Sequence, residues 1–237
     1  MTQYVAAAGT GDRVAAGPAP RPVPRWAPLT GVAFVVFFLG GVVASNVPAD
    51  SASAASWVAA YTGSGNQFGH EATGVLLVLA ALSLMSFLAV LWSRIGQLNP
   101  RGGRSIVPLI AAGVSAACIA VGGVLMASGS TVAQGFALTD TTGTATLVRF
   151  VNDTGFVMVA VPGMLAAALA VTGLSVQAYR TGLFGRRMEV TGIAVAVILL
   201  GALAFIPIAA LLIWVVVSAI LLIRTRVPDG EQLPAAR

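Results

Sequence analysis

An all-α, polytopic membrane protein, with six transmembrane helices and both termini cytoplasmic, is the fold class this sequence predicts. Three observations carry that expectation. Of the 237 residues, 57% are hydrophobic and 9% are charged, against about 25% charged in a soluble domain, so the chain lacks the polar surface that a water-facing fold needs. The apolar residues gather in uncharged runs of the length that crosses a hydrocarbon core of about 30 Å. The basic residues are sorted between the loops in the way that orients a multi-pass protein. A β-barrel would show short alternating segments instead, and none occur.

Residues 1–26 are rich in Ala, Gly, Pro and Arg and end in PAPRPVPRW. Such a segment cannot bury enough apolar area to fold and reads as a disordered cytoplasmic tail. The membrane domain then covers residues 27–223. Its first span covers about 28–44, with Trp26 at the interfacial edge. Val42-Val43-Ala44 has the pattern of a signal-peptidase site, but the long preceding tail argues against cleavage. The second span covers about 71–92, the third 106–127 and the fourth 155–177. Each is long enough for a crossing at about 1.5 Å per residue.

Val190 to Ile223 is a run of 34 residues without a charge. As one helix it would extend about 51 Å, well beyond the core thickness. Two short helices, 190–205 and 207–223, fit better, with the break at Ile206-Pro207. Proline suits the first turn of a new helix, and the residue before it is pushed out of helical geometry.

Arginine placement decides the count. All 13 basic residues are Arg, which together with abundant Ala, Gly and Val indicates a GC-rich genome. With six spans, the inner side holds Arg13, Arg21 and Arg25; Arg94, Arg101 and Arg104; Arg180, Arg186 and Arg187; and Arg224, Arg226 and Arg237. Arg149 alone lies outside, a split of twelve to one against nine to four for five spans. The positive-inside rule selects six, leaves 224–237 as a cytoplasmic tail and places the protein in the cytoplasmic membrane. It also explains the net charge of +5 without nucleic acid as a partner.

The outer segments are then 45–70, 128–154 and a minimal turn near 206, none long enough for a separate outer domain. In the first, Asp50 or Ser51 is placed to cap a short helix through Tyr61. Trp57 and Tyr61 share a face at i,i+4 and suit the membrane interface. Pro162-Gly163 predicts a kink within the fourth span. Gly113, Ala116, Ala117, Ala120 and Gly122 form small-residue faces for close helix packing. Glu71-Ala-Thr73-Gly74 resembles Glu189-Val-Thr191-Gly192, as an inverted three-plus-three repeat would. Thr-Gly occurs nine times in the chain, however, and chance accounts for such matches.

The span centres carry no ionisable residue, which argues against a proton relay or an acidic ion site at the midplane. Their polar residues include Ser83, Ser86, Ser115, Thr172 and Ser175, hydroxyls able to bond a carbonyl of their own helix. The candidate site lies at the outer rim. His70 and Glu71 open the second helix; Arg149, Asn152 and Asp153 open the fourth; Gln67 is nearby. These groups would form a small polar ligand-binding pocket if the two helices are neighbours. The plainer expectation is local: acids favoured by the helix dipole, and an Arg149–Asp153 pair at i,i+4. No metal is expected, since one His and a few carboxylates are a thin ligand set. No cofactor is expected either. The chain has one His and one Cys, Cys118, and neither a P-loop nor a dinucleotide fingerprint.

Pro48-Ala-Asp50, the Ser/Ala-rich stretch ending Val58-Ala-Ala-Tyr61, and the linker Arg180-Thr-Gly-Leu-Phe-Gly-Arg-Arg187 running into Gly192 resemble those of uncharacterised six-span membrane proteins of GC-rich actinobacteria. That resemblance implies a topology and no catalytic residues. The expected function is non-enzymatic: a helix-bundle protein in the lipid bilayer that acts through membrane partners, either a second copy or another membrane protein. The alternative is a small permease or exporter with a polar outer-rim site. A water-filled cavity reaching the midplane would favour the second, and a solid small-residue bundle the first.

Overall fold

The computed structural model describes residues 24, 26–98, 103–136, 140–201 and 206–224. The expected tails, apart from residues 24, 26 and 224, lie outside the described residues, as does Arg101. Every regular element among the described residues is helical. The helices are α1 (Leu29–Ala44), α2 (Ala54–Thr62), α3 (Ser64–Leu98), α4 (Val107–Phe136), α5 (Thr141–Met158), α6 (Met164–Arg180), α7 (Arg186–Leu200) and α8 (Ile206–Arg224), with a π-helical turn at Val159–Gly163 joining α5 to α6. Gly65–Leu98, Val107–Gly135 and Thr141–Arg180 are long and apolar enough to cross a membrane, and Leu29–Ala44 and Ile208–Arg224 are shorter apolar helices. The molecule is a helical membrane bundle.

Six of the helices form a closed ring of neighbours. α1 packs on α3, α3 on α4, α4 on α6, α6 on α7, α7 on α8, and α8 returns to α1. Phe34, Leu84, Phe87, Met164, Leu174 and Trp214 fill the interior and are fully buried. Glycines set the closest approaches. A Cβ on Gly122 would lie 2.6 Å from the Gly155 carbonyl oxygen, and one on Gly123 would lie 2.5 Å from Leu77 Cβ. Of the expected small-residue faces, Ala116, Ala120 and Gly122 pack inward, whereas Ala117 is exposed and Gly113 meets nothing nearer than Met85 Cε at 4.0 Å.

Pro162 lies in the π turn, where its missing N–H and ring are absorbed by one wide turn and the helix axis continues. The last hairpin breaks earlier than expected. α7 stops at Leu200, where Gly201 donates its N–H to the Ile198 carbonyl at 3.0 Å, and Pro207 falls in the first turn of α8. The glycine that ends α7 is thus Gly201. The residues between, 202–205, lie outside the described residues.

The larger departure is outside the spans. At 1.5 Å per residue α3 is about 52 Å long, α4 about 45 Å, and the continuous Thr141–Arg180 rod about 60 Å, all well beyond a core of about 30 Å. The segments 45–70 and 128–154 are mostly helix rather than loop. α2, the first turns of α3, the end of α4 and α5 pack together around a small second core of Trp57, Tyr61, Ala133, Ala145 and Val148. They form a helical cap continuous with the bundle.

Candidate functional site

The cap is built from local signals. Ser53, rather than Asp50 or Ser51, caps α2 by accepting the Ser56 N–H at 3.2 Å. Asp140 caps α5 by accepting the Thr142 N–H at 3.0 Å. Both satisfy backbone donors that a helix start leaves free. Trp57 and Tyr61 do share a face, but they point inward and are 2% and 0% exposed. Gly129 on α4 makes the space, since a Cβ there would lie 2.7 Å from the Tyr61 ring.

Four side chains form one column. The Arg149 guanidinium lies 5.0 Å from the centre of the Trp57 ring. Trp57 and Tyr61 are near parallel, 6.2 Å apart at 9°. Tyr61 and His70 stack at 3.8 Å and 7°. The Tyr61 hydroxyl donates to Asn152 Oδ1 at 3.2 Å, tying α2 to α5. Arg149 Nη2 donates to the Ala52 carbonyl at 2.6 Å, tying the approach to α2 to the same helix. The Tyr61–His70 stack and the two bonds each contribute about 1 kcal/mol toward holding a nine-residue helix too short to persist alone.

The structure thus brings together three of the five expected site residues: His70, Arg149 and Asn152. Asp153 stands at the edge, exposed, with the Asn152 amide donating to its Oδ1 at 3.4 Å. The local Arg149–Asp153 pair is replaced by the bond to Ala52, because the guanidinium is drawn under Trp57. Glu71 points elsewhere: it is exposed and accepts from Gln67 Nε2 at 3.1 Å. Tyr61 and Trp57 complete the cluster. Their i,i+4 spacing was the visible signal, but spacing does not say which side of a helix is covered.

Burial sets the electrostatics. The Tyr61 phenol is pushed well above its ordinary value of 10.0, first by burial and second by the nearby Asp153 charge. His70 precedes the expected second span of about 71–92. His70 is 2% exposed and its Nε2 has no hydrogen-bond partner. Burial lowers its pKa below the ordinary 6.5, and the Ala60 backbone at the ring opposes that only in part. Stacking an imidazolium on Tyr61 would return about 1–2 kcal/mol, less than the several kcal/mol of burying an ion whose N–H lacks an acceptor. The ring is therefore neutral in the closed cap.

Ser86, on the outer face of α3, and the half-buried Thr172 return their hydroxyls to Leu82 and Ala168 at 2.7 and 2.9 Å. Ser115 and Ser175 do not, and they join Trp214 Nε1 and Ser218 as buried groups without partners. Leu84, Leu88, Ser115, Ala167, Ala170, Val171, Leu211 and Trp214 enclose a void of about 10 Å³ at the centre of the ring. A wholly apolar groove of about 360 Å³ opens on the outside, between α1 and α8. Among the described residues no group of three or more His, Cys, Asp or Glu is placed to hold a metal ion. Comparison of the chain with protein-family models, curated proteins and solved structures finds no match.

Proposed function

We propose that this protein is a non-enzymatic integral protein of the cytoplasmic membrane, with six spans and both termini inside, that acts by helix contact with membrane partners. One observation carries the reading against a permease: the ring of helices encloses a central void of about 10 Å³, room for a single water. A carrier needs a polar site near the midplane reached between its two halves. The void between α3, α4, α6 and α8 is walled mainly by Leu84, Leu88, Val171 and Leu211, with Ser115 and Trp214 its polar side chains and none ionisable, which supports the reading. The seam between α4 and α5 is closed at backbone distance by Gly122 and Gly155. The six-span topology rests on the twelve-to-one arginine split, and the closed ring of α1, α3, α4, α6, α7 and α8 supports it.

The contact surface assigned to partners is the outer side of the cap, where α2 presents Ala55, Ser56, Ala59 and Thr62 to solvent. Small residues let another helix approach closely. The test is purification in mild detergent with quantification of what remains bound. The expected result is a membrane protein, or a second copy, in fixed ratio, released when Ala55 and Ala59 are both changed to Arg. A stoichiometric small molecule with no protein, retained in that variant, would count against the proposal.

A further inference from the structure

α2 is the one helix of the cap that is short, and non-helical chain flanks each end. Residues 45–53 precede it, and Gly63, extended at φ −65° and ψ 130°, separates it from α3. Its inner side rests on the column of Trp57, Tyr61 and His70, while Ala55, Ser56 and Ala59 are exposed. A short element bounded by extended chain can open as a unit while the long helices beneath it stay folded. Beneath this one lies a buried imidazole whose Nε2 faces no acceptor.

We propose that α2 is a pH-gated strap: protonation of His70 loosens it from the cap, and deprotonation reseats it. An imidazolium carries N–H donors at both ring nitrogens. In the closed cap the second donor has nowhere to bond, whereas lifting α2 exposes it to water. Groups on the surrounding elements set the balance. From α2 the ring meets the uncharged Tyr61. α5 brings Arg149, which opposes a second cation, and Asp153, which favours one but stands in solvent. On His70's own helix, Glu71 is exposed and bonded to Gln67. α1 has no titratable group, and α4 has only Cys118, mid-helix.

The sign follows from where the proton is held more tightly. The open state binds it at the ordinary imidazole value of 6.5, and burial lowers that value in the closed state. Closure is therefore undiminished well above pH 6.5. It weakens as pH falls below that value, by at most about tenfold per pH unit, until the closed-state ring also titrates.

The test is hydrogen–deuterium exchange of the full-length protein in micelles, following residues 54–62 from pH 7.5 to 5 after correction for intrinsic rates. Protection should fall below about pH 6.5, and His70→Gln should remove the fall. The chain has one histidine, so labelling it with nitrogen-15 gives an assigned ring titration in the unaltered protein, even should His70→Gln fail to fold. That titration should lie below pH 6.5, on the acid side of the point where protection begins to fall. Constant protection down to pH 5, a ring that titrates while α2 stays protected, or a fall abolished by Asp153→Asn and kept by His70→Gln would each overturn the strap.

Discussion

Gly122→Ala puts the packing of the bundle to a quantitative test. The added methyl would lie 2.6 Å from the Gly155 carbonyl oxygen and 2.6 Å from Val159 Cγ2. Val159 can turn aside, but a backbone oxygen moves only with its helix, so α4 and α5 must part by several tenths of an ångström. Overpacking of this kind costs about 1–3 kcal/mol. Replacing glycine inside a helix returns about 0.5–1 kcal/mol, leaving a net loss centred on about 1 kcal/mol. Gly113→Ala, on the same helix, is the control. Its nearest neighbour would be Met85 Cε at 4.0 Å, so the propensity gain stands alone and the variant should equal or exceed the parent. Unfolding in mixed micelles, followed by tryptophan fluorescence, measures both. Equal stability of Gly122→Ala and the parent, or equal losses in the two variants, would refute a bundle closed at the α4–α5 seam.

Tyr61→Phe removes the bond to Asn152 and should lower cap stability by about 1 kcal/mol, seen as faster amide exchange in residues 54–62. Asp140→Ala removes the cap of α5 and should cost about 0.5–2 kcal/mol, with exchange rising first in the opening turn from Thr141. The phenol of Tyr61 titrates above its ordinary 10.0, so the neutral form is favoured on folding. That contribution is complete below pH 10 and is lost only as pH rises through the higher folded value. Of the three tyrosines in the chain, Tyr61 should therefore be missing from the ultraviolet phenolate signal at about pH 11, appearing when the protein is unfolded.

The long apolar runs were legible in the sequence because membrane helices announce themselves by composition. The cap was not. GSTVAQGFALTDTTGTAT is polar and small, with turn formers throughout, and periodicity gives it no face to bury. What makes most of it helical is tertiary: Gly129 admits the Tyr61 ring, and Ala133, Ala145 and Val148 close around Trp57. One local signal is present, Asp140 as an N-cap ahead of Thr141. The end of α7 at Gly201 was missed because Pro207 is the stronger punctuation, although proline marks the start of the next helix here. Of the rim residues, His70, Arg149 and Asn152 meet at one cluster. Their real partners, Trp57 and Tyr61, come from a short helix whose covered side the spacing could not assign.

Single-cysteine labelling of intact cells, in a Cys118→Ala background, tests the outer cap over an inward-anchored bundle most directly. Cysteines at Ala59 and Thr142, both exposed on the cap, should react with a membrane-impermeant maleimide. Cysteines at Gly182, in the linker between α6 and α7, and at Gly230, in the C-terminal tail, should react only after lysis. Labelling of position 182 or 230 in intact cells, with Ala59 protected, would contradict both the orientation and the cap.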